Sequence, residues 1–375
     1  MRAKQIAVGV LLVLGTLFWT AFGFGLWAER QVLDTDEWVD TSGDLLEDEQ
    51  IRNALGVYLV DRLYDSTSVQ DSLEEALPPE LDRLAGPAAA GLKQLAQRNA
   101  PRVLGSAAVL GAWRKANEVA HSDLIALVES DAAERAVSLN LESLLREVAE
   151  GTGIPPDAVD RLPPDVASLQ IASGEQLETA RKALDLFKTL VWVLLALALV
   201  AFAAAIFLAA DRRRTVLWVG GCLIFAAIAV FALRRLAEQV VVDALAEAPN
   251  AHAVAGDAWD ITTSLLVDVA LGSTLLGAFL VSGAWLAGPG RRATAVRRFA
   301  APTFREYAWL VRAGLGAAIL LLVSWGPVPW TRRIVPILIF TVGAFIWLEW
   351  IRARTLEEFP EGGAPAEPAT KATPP

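Results

Sequence analysis

Residues 173–210 read SGEQLETARKALDLFKTLVWVLLALALVAFAAAIFLAA, and this stretch decides the architecture. Ser173 followed three residues later by Gln176 has the form of a capping box, in which two side chains satisfy free N–H groups of a first helical turn. No breaker follows until Asp211. One continuous helix is expected from about Gly174 to Ala210, roughly 55 Å long at about 1.5 Å per residue. From Thr189 onward it carries no charge, and about 20 such residues suffice to cross about 30 Å of hydrocarbon. Its first half is charged. One end of the helix therefore belongs to water and the other to lipid, as a rigid post between a soluble domain and a membrane base.

Further apolar runs lie on both sides of the post. Ile6–Ala28 is uncharged and follows a short basic start with Arg2 and Lys4. It is longer than the roughly 7–15-residue apolar core of a secretion signal, so an uncleaved signal anchor is expected. After 189–210 come the runs 216–233, 265–288, 309–328 and 334–351. The chain is 54% hydrophobic with a mean hydropathy of +0.41, which suits a membrane protein. The fold class expected is mainly α: a polytopic bundle of about six transmembrane helices with a mostly helical extracytoplasmic domain. The organisation is an N-terminal span (1–28), an outer domain (29–184), a membrane domain (185–355) with an outer amphipathic segment at 234–262, and a disordered cytoplasmic tail (356–375).

Charge sets the orientation. The net charge of −10 divides into −15 over residues 28–184 and +5 over the remainder. Short cytoplasmic loops are enriched in Lys and Arg, whereas long loops translocate largely regardless of charge. With the N-terminus inside, the inner segments hold 13 basic residues and the short outer segments four. Both termini are thus expected in the cytoplasm. Ten of the 13 tryptophans lie in or beside apolar runs, as an interfacial belt requires; the exceptions are Trp38, Trp113 and Trp259. An acidic lobe repels phosphate, so no nucleic acid is expected as partner. Cys222 is the only cysteine, which rules out an intramolecular disulfide.

The outer domain reads as helices with one interruption. Asp34-Thr35-Asp36-Glu37 supplies a capping group and early acids, a helix start. Leu110, Trp113, Asn117, Ala120, Leu124 and Leu127 recur by three and four, an amphipathic helix. Val137–Leu141 and Ser168–Ala172 alternate apolar and polar residues, and together predict a small two-stranded β element.

Candidate sites are few. Asp268 lies inside an apolar run, where carboxylates are costly and often mark ion paths; Arg234 and Arg235 fall at the same expected level, for an interfacial ion pair. Trp113, Asn117 and His121 share one helix face and form a candidate extracytoplasmic polar site. Arg212, Arg213, Arg214, Arg291, Arg292, Arg297 and Arg298 are expected to set topology and touch lipid headgroups. His121 and His252 lack companions at metal-ligand spacing, and no nucleophile elbow or phosphate loop occurs. Neither a cofactor, a metal nor an enzymatic activity is expected.

Val32–Val39, Trp113–His121, Ser138–Leu141 and Ser173–Leu177 together resemble a group of uncharacterised bacterial integral membrane proteins, commonest in actinobacteria, that carry a large extracytoplasmic loop after the first membrane helix. The likeness covers most of residues 1–290. It implies a cell-membrane location and no particular activity. The function expected is a non-enzymatic envelope binding, scaffold or sensor protein acting through its outer domain, with the bilayer and an envelope protein, lipid or cell-wall ligand as partners. The alternative is a transporter or transporter subunit that uses the bundle and Asp268.

Overall fold

The structure is a computed structural model and describes residues 2–66, 84–129, 137–140, 168–172, 174–245, 249–325 and 334–359. Twelve helices are described: α1 (Arg2–Leu33), α2 (Thr35–Glu47), α3 (Glu49–Ser66), α4 (Ala85–Leu104), α5 (Ala107–Glu129), α6 (Gly174–Leu208), α7 (Arg212–Leu245), α8 (Pro249–Thr262), α9 (Ser264–Leu286), α10 (Arg291–Glu306), α11 (Ala308–Trp325) and α12 (Ile334–Glu358). The chain divides into two compact units. One comprises Met1–Gly25, Val191–Leu233 and Leu265–Pro375, the other Leu26–Leu190 and Arg234–Ser264.

In the first unit the core joins α1, α6, α7 and α9. Phe202, Val219 and Leu223 are buried together, and Leu12, Trp19, Ile206, Cys222 and Leu280 pack against them. The outside of the same helices is apolar, with Val200, Phe207, Phe225 and Ile228 all exposed. Apolar surface outward and a tight interior are what a bilayer solvent demands. Trp19 is not a belt residue: its indole N–H donates to Ser273 Oγ at 3.0 Å, tying α1 to α9.

Among the described residues four helices, α1, α6, α7 and α9, are long and apolar enough to cross a membrane, so at least four of the about six expected spans are present. α11 (Ala308–Trp325) is apolar apart from Arg312. On α12 Glu349 lies near the end of the apolar run 334–351, and Arg352 and Arg354 follow it. Arg312 of α11 donates to Glu349 at 2.6 Å, and Arg352 holds the other carboxylate oxygen at 3.0 Å, so charge is used to pair these two helices.

The second unit is built from two antiparallel helix pairs, α2 with α5 and α3 with α4. Asp34 caps α2 by accepting from the N–H groups of Asp36 and Glu37, and Asp48 caps α3 by accepting from those of Gln50 and Ile51. The acidic clusters at 34–37 and 47–49 thus begin helices. Arg52 donates to the carbonyls of Leu46 and Glu47 and so closes the end of α2. Among the described residues the segment 234–262 is helical and belongs to this unit. α7 runs unbroken to Leu245, and α8 packs on α2 and α3.

The fold class is corrected to an all-helical one in its packed parts. Val137–Asn140 pairs antiparallel with Ser168–Ala172, with a register shift between Val137 and Ser138. Among the described residues this short ribbon builds no sheet layer, and the packed core is helical. The residues that connect the two segments, with their Pro-Pro pairs, lie outside the described residues. So do Pro78-Pro79 and Ser173 of the expected capping box.

Two other segments differ from expectation. Residues 289–308 contain the helix α10 rather than only a loop, and α12 extends to Glu358, into the expected tail. The reason is shared: Arg297 of α10 grips Glu358. The remainder of the tail, 360–375, lies outside the described residues.

Between α3 and α4, Asp61 accepts from Lys93 and from Gln97, both at 2.9 Å. The Lys93 ammonium holds the Asp61 carboxyl below the usual carboxylate range. A lowered folded pKa stabilises the fold above the unfolded value of about 4 and is lost as pH falls through the folded value. Wild-type protein should therefore lose thermal stability below about pH 4 by a step that Asp61→Asn removes. The pair is partly exposed, so the step should be small and shrink with salt. Melting curves of the two proteins from pH 5 to pH 2.5 check it.

Candidate functional site

Trp113, Asn117 and His121 follow one another at intervals of four on α5, so they share a face. That face meets α2. The Trp113 indole donates to the carbonyl of Ser42 at 2.8 Å. Asn117 accepts at 3.3 Å from the indole of Trp38 and donates to the carbonyl of Trp113 at 2.9 Å. The His121 ring stacks on Trp38, with centroids 5.1 Å apart and planes at 18°. The three expected residues are thus brought together, and Trp38 and Thr35 complete the cluster. The sequence signal for Trp38 was its place outside any apolar run.

The two ring nitrogens of His121 are both occupied. Nε2 lies 3.1 Å from the carbonyl of Val32 and Nδ1 lies 3.0 Å from Thr35 Oγ1. A carbonyl only accepts, so Nε2 carries the proton and Nδ1 accepts from the threonine hydroxyl. His121 is 5% exposed. Such an imidazole has neither a free lone pair nor an approach for substrate, and its work is to fasten α5 to the junction of α1 and α2. Trp38 and Trp113 remain partly open to solvent at the cluster's edge.

His121→Ala should therefore act on stability. It removes two hydrogen bonds and a buried ring, for an expected loss of about 2–3 kcal/mol. Amide exchange in residues 35–47 should accelerate, with α3 and α4 unchanged. Equal acceleration in both helix pairs would show that the clasp is not local.

Large apolar side chains remain exposed on the other helix pair: Leu59 and Leu63 on α3, Leu92, Leu95 and Val103 on α4. Leu63 is 56% exposed and Val103 60%.

The remaining candidates are placed as follows. Arg234 pairs with Asp260 and donates to Thr263 Oγ1 at 2.8 Å; Arg235 reaches Glu238 at 3.2 Å. Asp268 is half-buried near the start of α9. Arg212 and Arg214 are exposed and Arg213 half-buried at the start of α7, and Arg291, Arg292 and Arg298 are exposed on α10. Arg297 is the exception. It is 4% exposed and faces protein, so its expected headgroup role is corrected. Its Nε and Nη2 donate to the two oxygens of Glu358 at 2.7 and 3.0 Å, and its Nη1 donates to the carbonyls of Leu286 and Gly288. The residue was misplaced because a charge count carries no direction. The signal for its burial is the spacing Ala293, Arg297, Ala301, one face of a helix.

No family model, curated protein or solved structure matches this chain. The helices and their apolar surfaces make it a multi-pass integral membrane protein with at least four membrane helices and a helical extracytoplasmic segment.

Proposed function

We propose that the chain is a non-enzymatic envelope protein whose extracytoplasmic unit binds another envelope component through α3 and α4, with the bundle as its anchor. The exposed apolar side chains of those two helices carry the reading. The commitment of His121 to structure supports it, as does the acidic charge of the unit, which favours a basic or apolar ligand over an anionic one.

Photo-crosslinking residues at positions 63, 95 and 103 of the full-length protein, in its native membrane, provide the test. The expected result is one common adduct from all three positions that is absent from a probe at Ser122 and lost on Leu59→Glu. No adduct, or adducts with lipid alone, would overturn the reading. The proposed orientation, with both termini cytoplasmic, is read separately. In a Cys222→Ser background, an impermeant thiol reagent added outside should label a cysteine at 65 and spare those at 213 and 295.

A further inference from the structure

The ends of three helices in the membrane-embedded unit enclose a pocket of about 380 Å³, within the range of about 300–1,000 Å³ usual for ligand clefts. It is bounded by the start of α7, the end of α9 and the end of α12. Its walls are graded along the helix axes. Arg212 and Arg213 open α7, and Val216 lies a turn deeper. Phe279 and Leu280 lie deep on α9, and Ala287 at its end. Trp347 lies two turns deeper on α12 than Arg354. The mouth is therefore cationic and the floor apolar. Trp347 closes one wall by lying directly on Gly283, where a Cβ would collide with its indole.

The three arginines of the mouth are held only by neutral groups. Arg213 donates to the carbonyl of Ala284 at 3.2 Å, Arg212 sits over the ring of Phe207 and Arg354 over that of Trp350. None has a carboxylate partner among the described residues. Of the nearby acids, Asp211 caps α7 through the N–H of Arg214, Glu358 is bound by Arg297, and Glu357 is exposed three residues from Arg354. Three guanidiniums line one mouth; Arg213 spends one N–H on Ala284, and the N–H groups that remain suit a planar or tetrahedral anion. The floor below them accepts hydrocarbon.

We propose that this pocket binds the phosphate-bearing headgroup and upper acyl chain of an anionic phospholipid. The arginines hold the phosphodiester and Phe279, Leu280 and Trp347 hold the chain. A free phosphate ion would satisfy the mouth and leave the floor empty; a zwitterionic phospholipid would fill the floor and carry its own cation to the mouth.

The test uses full-length protein in phosphatidylcholine nanodiscs and the immobilised fraction of a spin-labelled phosphatidylglycerol. Wild-type protein should retain a saturable population that spin-labelled phosphatidylcholine does not form. Arg213→Gln with Arg354→Gln should weaken it by about tenfold or more, since each basic residue contributes substantially to anionic-lipid attraction. Arg291→Gln with Arg292→Gln, which removes the same charge outside the pocket, should leave it within about twofold. Arg354→Gln alone, at an exposed position, supplies an intermediate loss if the double variant fails to fold. Equal losses from both double variants, equal retention of phosphatidylcholine, or displacement of the lipid by millimolar inorganic phosphate would each overturn the assignment.

Discussion

Gly220→Leu will prevent the membrane helices from packing, while Gly221→Leu, one residue along, will leave the protein folded. A Cβ at Gly220 would lie 2.7 Å from the carbonyl oxygen of Gly277 and 2.8 Å from Val281 Cγ2, and a Cβ at Gly277 would lie 2.6 Å from the carbonyl oxygen of Gly220. The two glycines therefore face each other, and α7 and α9 touch backbone to backbone. Lipid offers no hydrophobic drive for helix association, so close packing through small residues supplies it. A leucine at 220 forces the backbones apart, and because the obstacle is main chain no rotamer relieves it. The expected loss is at or beyond the upper end of overpacking, about 3 kcal/mol. At Gly221 nothing lies within 4 Å of the added Cβ, and leucine improves the helix propensity. Monodispersity and melting temperature in mild detergent separate the two. Equal behaviour of the variants would refute the crossing.

That contact was not legible in the sequence, although the helices it joins were. The runs 216–233 and 265–288 announce themselves because burial in hydrocarbon needs an unbroken apolar stretch. The continuation of the run 189–210 back to Gly174 likewise follows from the lack of a breaker, and α6 spans Gly174–Leu208. A pair of glycines within a span says nothing about its partner, since glycine is common in membrane helices.

The polar cluster of α5 was legible because intervals of four place Trp113, Asn117 and His121 on one face. Its meaning was not. Whether such a face is a site or a clasp depends on what covers it, and Trp38 and Thr35 arrive from nearly 80 residues or more away. The ribbon at 137–140 shows the opposite limit. Alternation names segments that can pair, but the packed core is supplied by helices whose period dominates the domain.

Arg297→Ala should unlock the end of the membrane unit, with a loss of about 3 kcal/mol, because removal of one partner leaves the other's charge without compensation. The guanidinium makes a bidentate pair with Glu358 and also closes the carbonyl end of α9 through Leu286 and Gly288. The cation stands where the helix dipole is negative. One side chain thus joins α9, α10 and α12, and an alanine releases all three. Arg297→Lys should rescue little, since an ammonium cannot match two carboxylate oxygens and two carbonyls at once. Glu358 is about one-third exposed, so Glu358→Gln should weaken the protein less than Arg297→Ala does. The double variant Arg297→Met with Glu358→Leu should recover much of the loss, because an apolar pair has no desolvation penalty to offset. The two unpaired carbonyls keep the recovery incomplete. A double-mutant cycle on detergent melts measures the coupling. Additive losses, with no recovery in the double variant, would mean that the pair does not hold α10 to α12.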